Sequence, residues 1–232
     1  MKIIYGLELD DLVIPQPQNV EGGVHYFGPK SLLFMLESHL GLIGHPTNNE
    51  YLRIEQYRQA ILRHLEENEN PFYKNSFNAD QFATATELLS RRDELLLAGW
   101  NFEVENDTPN RLKNIAEIEQ IFKTPDENGE LLNLSPGYAD RFVEVLEKIE
   151  KRKQPITEIA LNEPLEILPF HFQKLFEKLA LRSTTLLPVP LGSRGQFFTT
   201  SQRDRQESRA TDLDQFKNRL LADSGKKEKI KL

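Results

Sequence analysis

A chain of 232 residues with a formal net charge of −7, 38% apolar and 28% charged, is long enough for one large domain or two small ones. The acidic balance argues against a surface built mainly to grip nucleic-acid phosphates, although it leaves room for a local basic patch. The absence of cysteine excludes disulfides, thiolate catalysis and cysteine-ligated metals.

The opening MKIIYGLELDD has too short an apolar run and too many acids for a signal peptide. No stretch approaches the about 18 apolar residues that a membrane-crossing helix needs. The expectation is a cytoplasmic protein without a membrane partner. Residues 2–10 alternate, with Ile3, Tyr5, Leu7 and Leu9 on one side, and predict a strand ended by Pro15 and Pro17. Residues 24–27 predict a second strand. It runs into Gly28-Pro29-Lys30-Ser31 and a helix with Leu33, Leu36 and Leu40 inward and Gly41 as its stop. Thr47-Asn48-Asn49-Glu50 has the form of a capping box and opens a helix to about Glu67, with Ile54, Tyr57, Ile61 and Leu65 inward.

The stretch from Phe72 to Phe102 reads as one long amphipathic helix with Phe82, Ala85, Leu89 and Leu96 at helical spacing. Asn78 or Asp80 is placed to cap its start, and Gly99 with Trp100 to close its end. Thr108-Pro109 starts a further helix carrying Leu112, Ile115, Ile118 and Phe122. After a turn at 126–129, Ser135-Pro136 starts another carrying Tyr138, Phe142, Val145 and Ile149.

Residues 156–161 then predict a strand. Pro164 or Pro169 introduces a helix with Phe172, Leu175, Phe176 and Leu179, and residues 183–189 predict a last strand. Strand, helix and strand with short joints suggest a parallel unit. The expected fold class is therefore α/β: a small, mostly parallel sheet within residues 1–190, with a large helical insertion at 47–153. Residues 191–210 lack an apolar period and read as a linker. Thr211–Leu221 is compatible with a short helix, and the closing GKKEKIKL reads as a chain cut within a longer protein.

Candidate chemistry is sparse. Gly28, Lys30 and Ser31 resemble a worn phosphate loop, since a working one needs G-x-x-x-x-G-K-[ST] so that backbone N–H groups wrap the phosphates. Gly23 and Gly28 have the right separation, but Pro29 stands before Lys30 and removes a donor. The plainer reading is a helix start. None of His25, His39, His45, His64 and His171 has the spacing of a helical metal pair, so no metal site is expected. Arg91 and Arg92 could contact DNA or a partner, against an ion-paired helical face with Glu87 and Arg91 at i, i+4. Arg194, Arg203 and Arg205 could touch nucleic acid, against a solvated linker. No catalytic set is visible.

Two runs resemble a known family. VHYFGPKSLLFMLESHLGL has its strand, Gly-Pro turn, leucine-rich helix and closing L-G-L. FYKNSFNADQFATATELLSRRDELLLAGW follows its form F-Y-x-x-S-F-x-x-D-x-x-A-T-A-x-x-L-L-x-x-R-D-E-L-x-x-A-G-W. RLKNIAEIE, LSPGYADRF and ITEIALNEPLEILPFHFQKLFEKLA continue the order, so the likeness covers most of residues 24–222. The chain is similar to AddB-like helicase–nuclease subunits, in which an inactivated superfamily-one helicase body precedes a PD-(D/E)XK nuclease domain.

The resemblance implies a noncatalytic, helicase-like N-terminal domain of a bacterial double-strand-break repair subunit. It implies DNA as a partner through the parent protein, a helicase partner subunit, and no cofactor in this stretch. No lysine here has Asp or Glu two places before it, so the nuclease centre would lie outside this chain. The alternatives are a live nucleotide-binding domain using Lys30 and Ser31, and a helical interaction module without a DNA role.

Overall fold

The computed structural model describes residues 1–10, 23–42, 50–125, 129–152, 155–181 and 185–188. Its sheet has four parallel strands: β1 (Lys2–Tyr5), β2 (Val24–Phe27), β3 (Glu158–Leu161) and β4 (Thr185–Pro188), in the order β2-β1-β3-β4. The register sets Ile3 beside His25 and Ile159, and Tyr5 beside Phe27 and Leu161. Strands from the two ends of the sequence thus share one sheet, with the helices between them in sequence.

Seven helices lie among the described residues: α1 (Pro29–Leu40), α2 (Glu50–Glu67), α3 (Lys74–Ala79), α4 (Gln81–Leu97), α5 (Asn110–Ile121), α6 (Tyr138–Lys148) and α7 (Phe170–Ala180). None is long and apolar enough to cross a membrane. One face of the sheet shares a core with α1, α6 and α7. Ile3, Tyr5, Ile159 and Leu161 meet Leu32, Leu33, Leu36, Phe142, Val145, Phe172, Leu175, Phe176 and Leu179 there, all buried. A second core joins α2, α3, α4 and α5 through Ile54, Tyr57, Ile61, Phe77, Ala85, Leu88, Leu89 and Ile118. Full burial of one such side chain contributes about 1.5–3 kcal/mol.

The local signals act where the sequence puts them. Pro29 is the first residue of α1, where its missing N–H costs little. Asp80 Oδ1 accepts from Ala83 N at 2.9 Å and caps α4. At the far end Gly99 has φ +90°, and Gly99 N and Trp100 N bond back to Leu96 O and Leu95 O at 2.9 and 3.0 Å. This pair of hydrogen bonds closes the last turn and needs a left-handed residue, a conformation that glycine adopts without a Cβ clash.

Three expectations need correction. The stretch 72–102 is two helices, because extended backbone at Asp80 (φ −151°, ψ 101°) ends α3 before α4 begins. The first strand stops at Tyr5, where Gly6 N bonds to Phe27 O at 3.2 Å and Leu9 N returns to Gly6 O at 3.2 Å, so Leu7 faces solvent. The strand expected from 156 starts at Glu158. The capping box at 47–50, the turn at 126–129, the linker and the segment from 211 lie wholly or in part outside the described residues.

Candidate functional site at the carboxyl edge of the sheet

The strand order defines one distinctive place. The chain leaves β1 towards β2 on one side and leaves β3 towards β4 on the other. Connections that diverge in this way open a crevice at the carboxyl ends of the two strands, where open parallel sheets hold their ligands. Gly6 and Asn162 stand at those ends. Asn162 N donates to Tyr5 O at 2.8 Å, and a Cβ on Gly6 would lie 2.6 Å from Asn162 Nδ2. Leu7 N donates to Glu163 Oε2 at 3.4 Å.

The N-terminus of α1 points to the same edge, and a carboxylate of the chain itself fills it. Asp10 Oδ2 accepts from Lys30 N at 2.5 Å, and Asp10 Oδ1 accepts from Ser31 N at 3.0 Å and Ser31 Oγ at 2.5 Å. Gly28 N donates to Ser31 Oγ at 2.9 Å. Two of the free N–H groups of the first turn are thereby satisfied, and the negative charge faces the positive end of the helix dipole. Gly28 is buried against this carboxylate, and a Cβ there would stand 2.6 Å from Asp10 Oδ1. Partial burial pushes the Asp10 carboxyl up, but the bonds from Ser31 and Lys30 outweigh it and hold the group below its ordinary value.

Tyr5 ends β1 at the same edge of the sheet. Its ring packs on Phe172 and Phe176 at 5.1 and 4.9 Å. Its hydroxyl is buried and has no hydrogen-bond partner among the described residues. Burial raises the phenol well above its ordinary range, and Tyr138, Glu163 and Asp10 act on it in the same direction. Tyr138, at the start of α6, is raised by burial and by Asp10. His171 packs edge-on against Tyr138 and Phe142 and tilted against Phe172, and burial pulls its imidazole down to about 4.

The residues singled out from the sequence fall in different places. Gly28, Lys30 and Ser31 do come together at the α1 terminus, with Lys30 exposed. Residues 24–27 between Gly23 and Gly28 are strand, so their amides do not wrap an anion. Arg91 is exposed and paired with Glu87 and Glu94 at 2.9 and 2.8 Å, the ion-paired face weighed against a contact role. Arg92 is 6% exposed. It reaches Glu119 at 2.7 Å, Asp93 at 2.8 Å and Asp140 at 2.5 Å, and its guanidinium lies 5.6 Å from the Phe102 ring centre. Arg53 joins the same network through Asp93 and Asp140, both at 2.9 Å, and through Ser135 O at 2.8 Å.

His25 and His39 are exposed. His64 is buried, with Tyr73 Oη 2.5 Å from Nδ1 and Glu117 Oε2 2.8 Å from Nε2. No group of three His, Cys, Asp or Glu among the described residues is arranged to hold a metal ion. His45, Arg194, Arg203 and Arg205 lie outside the described residues. Two open concavities of about 710 and 420 Å³ sit on the helical layer and share Glu117 and Gln120, away from the carboxyl edge.

The block from Phe72 to Trp100 has local structural duties at most of the positions that carry the resemblance. Tyr73 bonds His64, Phe77 and Ala85 fill the core, and Asp80 caps α4. Arg92 and Asp93 build the ion network, and Gly99 closes α4. No sequence motif marks Asp10, Tyr5 or Tyr138 as site residues, although the acid run Glu8-Leu9-Asp10-Asp11 between two strands is a signal. No family model matches the chain, and no curated protein matches it.

Proposed function

We propose that this chain is a noncatalytic, helicase-like scaffold domain of a bacterial DNA helicase–nuclease subunit that acts in double-strand-break repair and DNA end processing. In that reading it belongs to a longer protein with a PD-(D/E)XK nuclease centre and works beside a helicase partner subunit. Its task is mechanical: a stiff body that holds partners and helps to guide DNA. The motif blocks at 24–42 and 72–100 support the family, and the parallel sheet with helices inserted between its halves is compatible with a helicase-like body. The observation that carries most weight is the Asp10 carboxylate on Lys30 N and Ser31 N, the amides a nucleotide phosphate would need.

The test is a melting series of the 232-residue chain with ATP and Mg²⁺, run beside assays of ATP hydrolysis and metal-dependent DNA cleavage. The expected result is an unchanged melting temperature and no turnover, because a ligand selective for the folded state would raise it. A saturable rise or steady hydrolysis would overturn the reading in favour of a live nucleotide site. DNA titrations at increasing salt separate the remaining alternative. Binding that weakens with salt supports contact with the DNA backbone, and its complete absence favours a protein-interaction module.

A further inference from the structure

We propose that Glu117 is the receptor for a guanidinium group, and that the two concavities it lines receive an arginine-bearing segment of a protein partner. The concavities measure about 710 and 420 Å³, and Glu117 and Gln120 line both. The Glu117 side chain is 46% exposed there.

This carboxylate is held in place from the core. His64 Nε2 lies 2.8 Å from Glu117 Oε2, and Asn114 Nδ2 donates to the same oxygen at 3.0 Å. A carboxylate only accepts, so the Nε2 proton of His64 points at Glu117, while Nδ1 meets the Tyr73 hydroxyl. His64 and Tyr73 are both buried. A buried phenol thus fixes a buried imidazole, and the imidazole fixes a carboxylate that is open to solvent. Supporting shells of this kind orient the groups that meet a ligand. Oε2 is spent on the support. Oε1 takes no hydrogen bond among the described residues.

The lining sets the chemistry of the occupant. Glu67, Glu103, Glu105 and Glu117 face only Arg63 and Lys123 across the two concavities. Such a balance attracts a cation and repels phosphate or carboxylate. Ala116 and the exposed Val104 give the larger concavity an apolar wall. Arginine meets both demands, with a charged fork and a stem that lies along apolar surface. Its guanidinium is also more weakly hydrated than an ammonium, so leaving water costs it less. The concavities are open, and a small free ligand would stay largely wet in them. A side chain delivered by a larger surface fits them better.

The single tryptophan of the chain reports on the place: Trp100 lies 4.8 Å from Phe102, which lines the larger concavity. The experiment titrates the end-blocked peptide GRLRLRG into the full 232-residue chain, followed by Trp100 emission and by calorimetry. Control peptides carry lysine or glutamate in place of each arginine. Wild type is expected to bind the arginine peptide saturably, more weakly as salt is raised, and the glutamate peptide not at all. Glu117→Gln keeps an oxygen for the His64 N–H and is expected to weaken binding about tenfold or more, the loss of one charge-assisted pair. Glu87→Gln, on the exposed face of α4, is expected to bind as wild type does. Wild type that ignores the arginine peptide at low salt overturns the proposal. So does undiminished binding by Glu117→Gln, and equal binding of the lysine peptide overturns the assignment to a guanidinium. If Glu117→Gln does not fold, the exposed pair Glu103→Gln/Glu105→Gln tests the same concavity, and unweakened binding counts equally against the proposal. None of these outcomes depends on whether the chain binds ATP or DNA.

Discussion

The Arg53 guanidinium lies against Gly137, so closely that a Cβ at that position would overlap its Cζ and Nη1 and stand 2.7 Å from Nη2. One residue belongs to α2 and the other to the turn that starts α6, and Asp140 on that first turn of α6 receives the Arg53 charge. The glycine of L-S-P-G-Y thus makes room for an arginine more than eighty residues away.

Gly137→Ala should therefore destabilise the chain by about 1–3 kcal/mol, because Arg53 must shift out of a filled space and loosen its bonds to Asp93 and Asp140. Urea unfolding should show a lower midpoint with an unchanged slope. An unaltered midpoint would mean that Arg53 does not sit against this glycine in solution.

The neighbouring arginines of α4 should part company. Arg92→Ala strips the buried Glu119 of its arginine and leaves Asp140 with Arg53 alone, a loss of about 3–5 kcal/mol and a large share of a typical domain's stability. Arg91→Ala removes only solvent-exposed pairs and should fall within about 0.5 kcal/mol of wild type. Equal losses in denaturant melts would contradict the burial assigned to Arg92.

Tyr73→Phe keeps the ring but removes the hydroxyl beside His64 Nδ1. An unsatisfied buried imidazole nitrogen costs about 1–3 kcal/mol. The nitrogen chemical shifts of His64 should move with the loss of stability. Without such movement, the Tyr73–His64 bond is not formed.

Stability should begin to fall on the acid side of neutrality, through the buried His171. The His171 imidazole titrates near 4 when folded, against 6.5 for the exposed group. Between those values the unfolded chain binds the proton and the folded chain does not, so stability is full above 6.5 and drops as pH falls towards 4. Asp10, held below its ordinary 3.8, keeps its contribution above that value and loses it only on further acidification. Melting temperatures of wild type and His171→Phe from pH 7 to 4 check the first window. The variant, whose ring still meets Tyr138, Phe142 and Phe172, should lose less over that range.

What could be read from the sequence was local chemistry. Pro29, Asp80 and Gly99 declare helix ends through one residue's dihedral angles or hydrogen bonds, and they stand at those ends. Apolar periodicity likewise placed the strands, although alternation ran past Tyr5 because Leu7 and Leu9 keep a strand's spacing through a turn. The start of α1 was half legible. Gly28 and Ser31 stood out, but the carboxylate that fills it comes from another loop, twenty-one residues before Ser31. The network around Arg92 was illegible for the same reason, since its partners come from α2, α5 and α6 and no local pattern pairs them.

Helix α6 links the core under the sheet to the ion network of the helical layer. Phe142 and Val145 lie in the core under the sheet, while Asp140, near the start of the helix, is locked to Arg53 and Arg92. It acts as a lintel between the sheet and the helical layer. Whatever loosens Arg53 or Arg92 on the helical side therefore loosens the seating of α6 under the sheet.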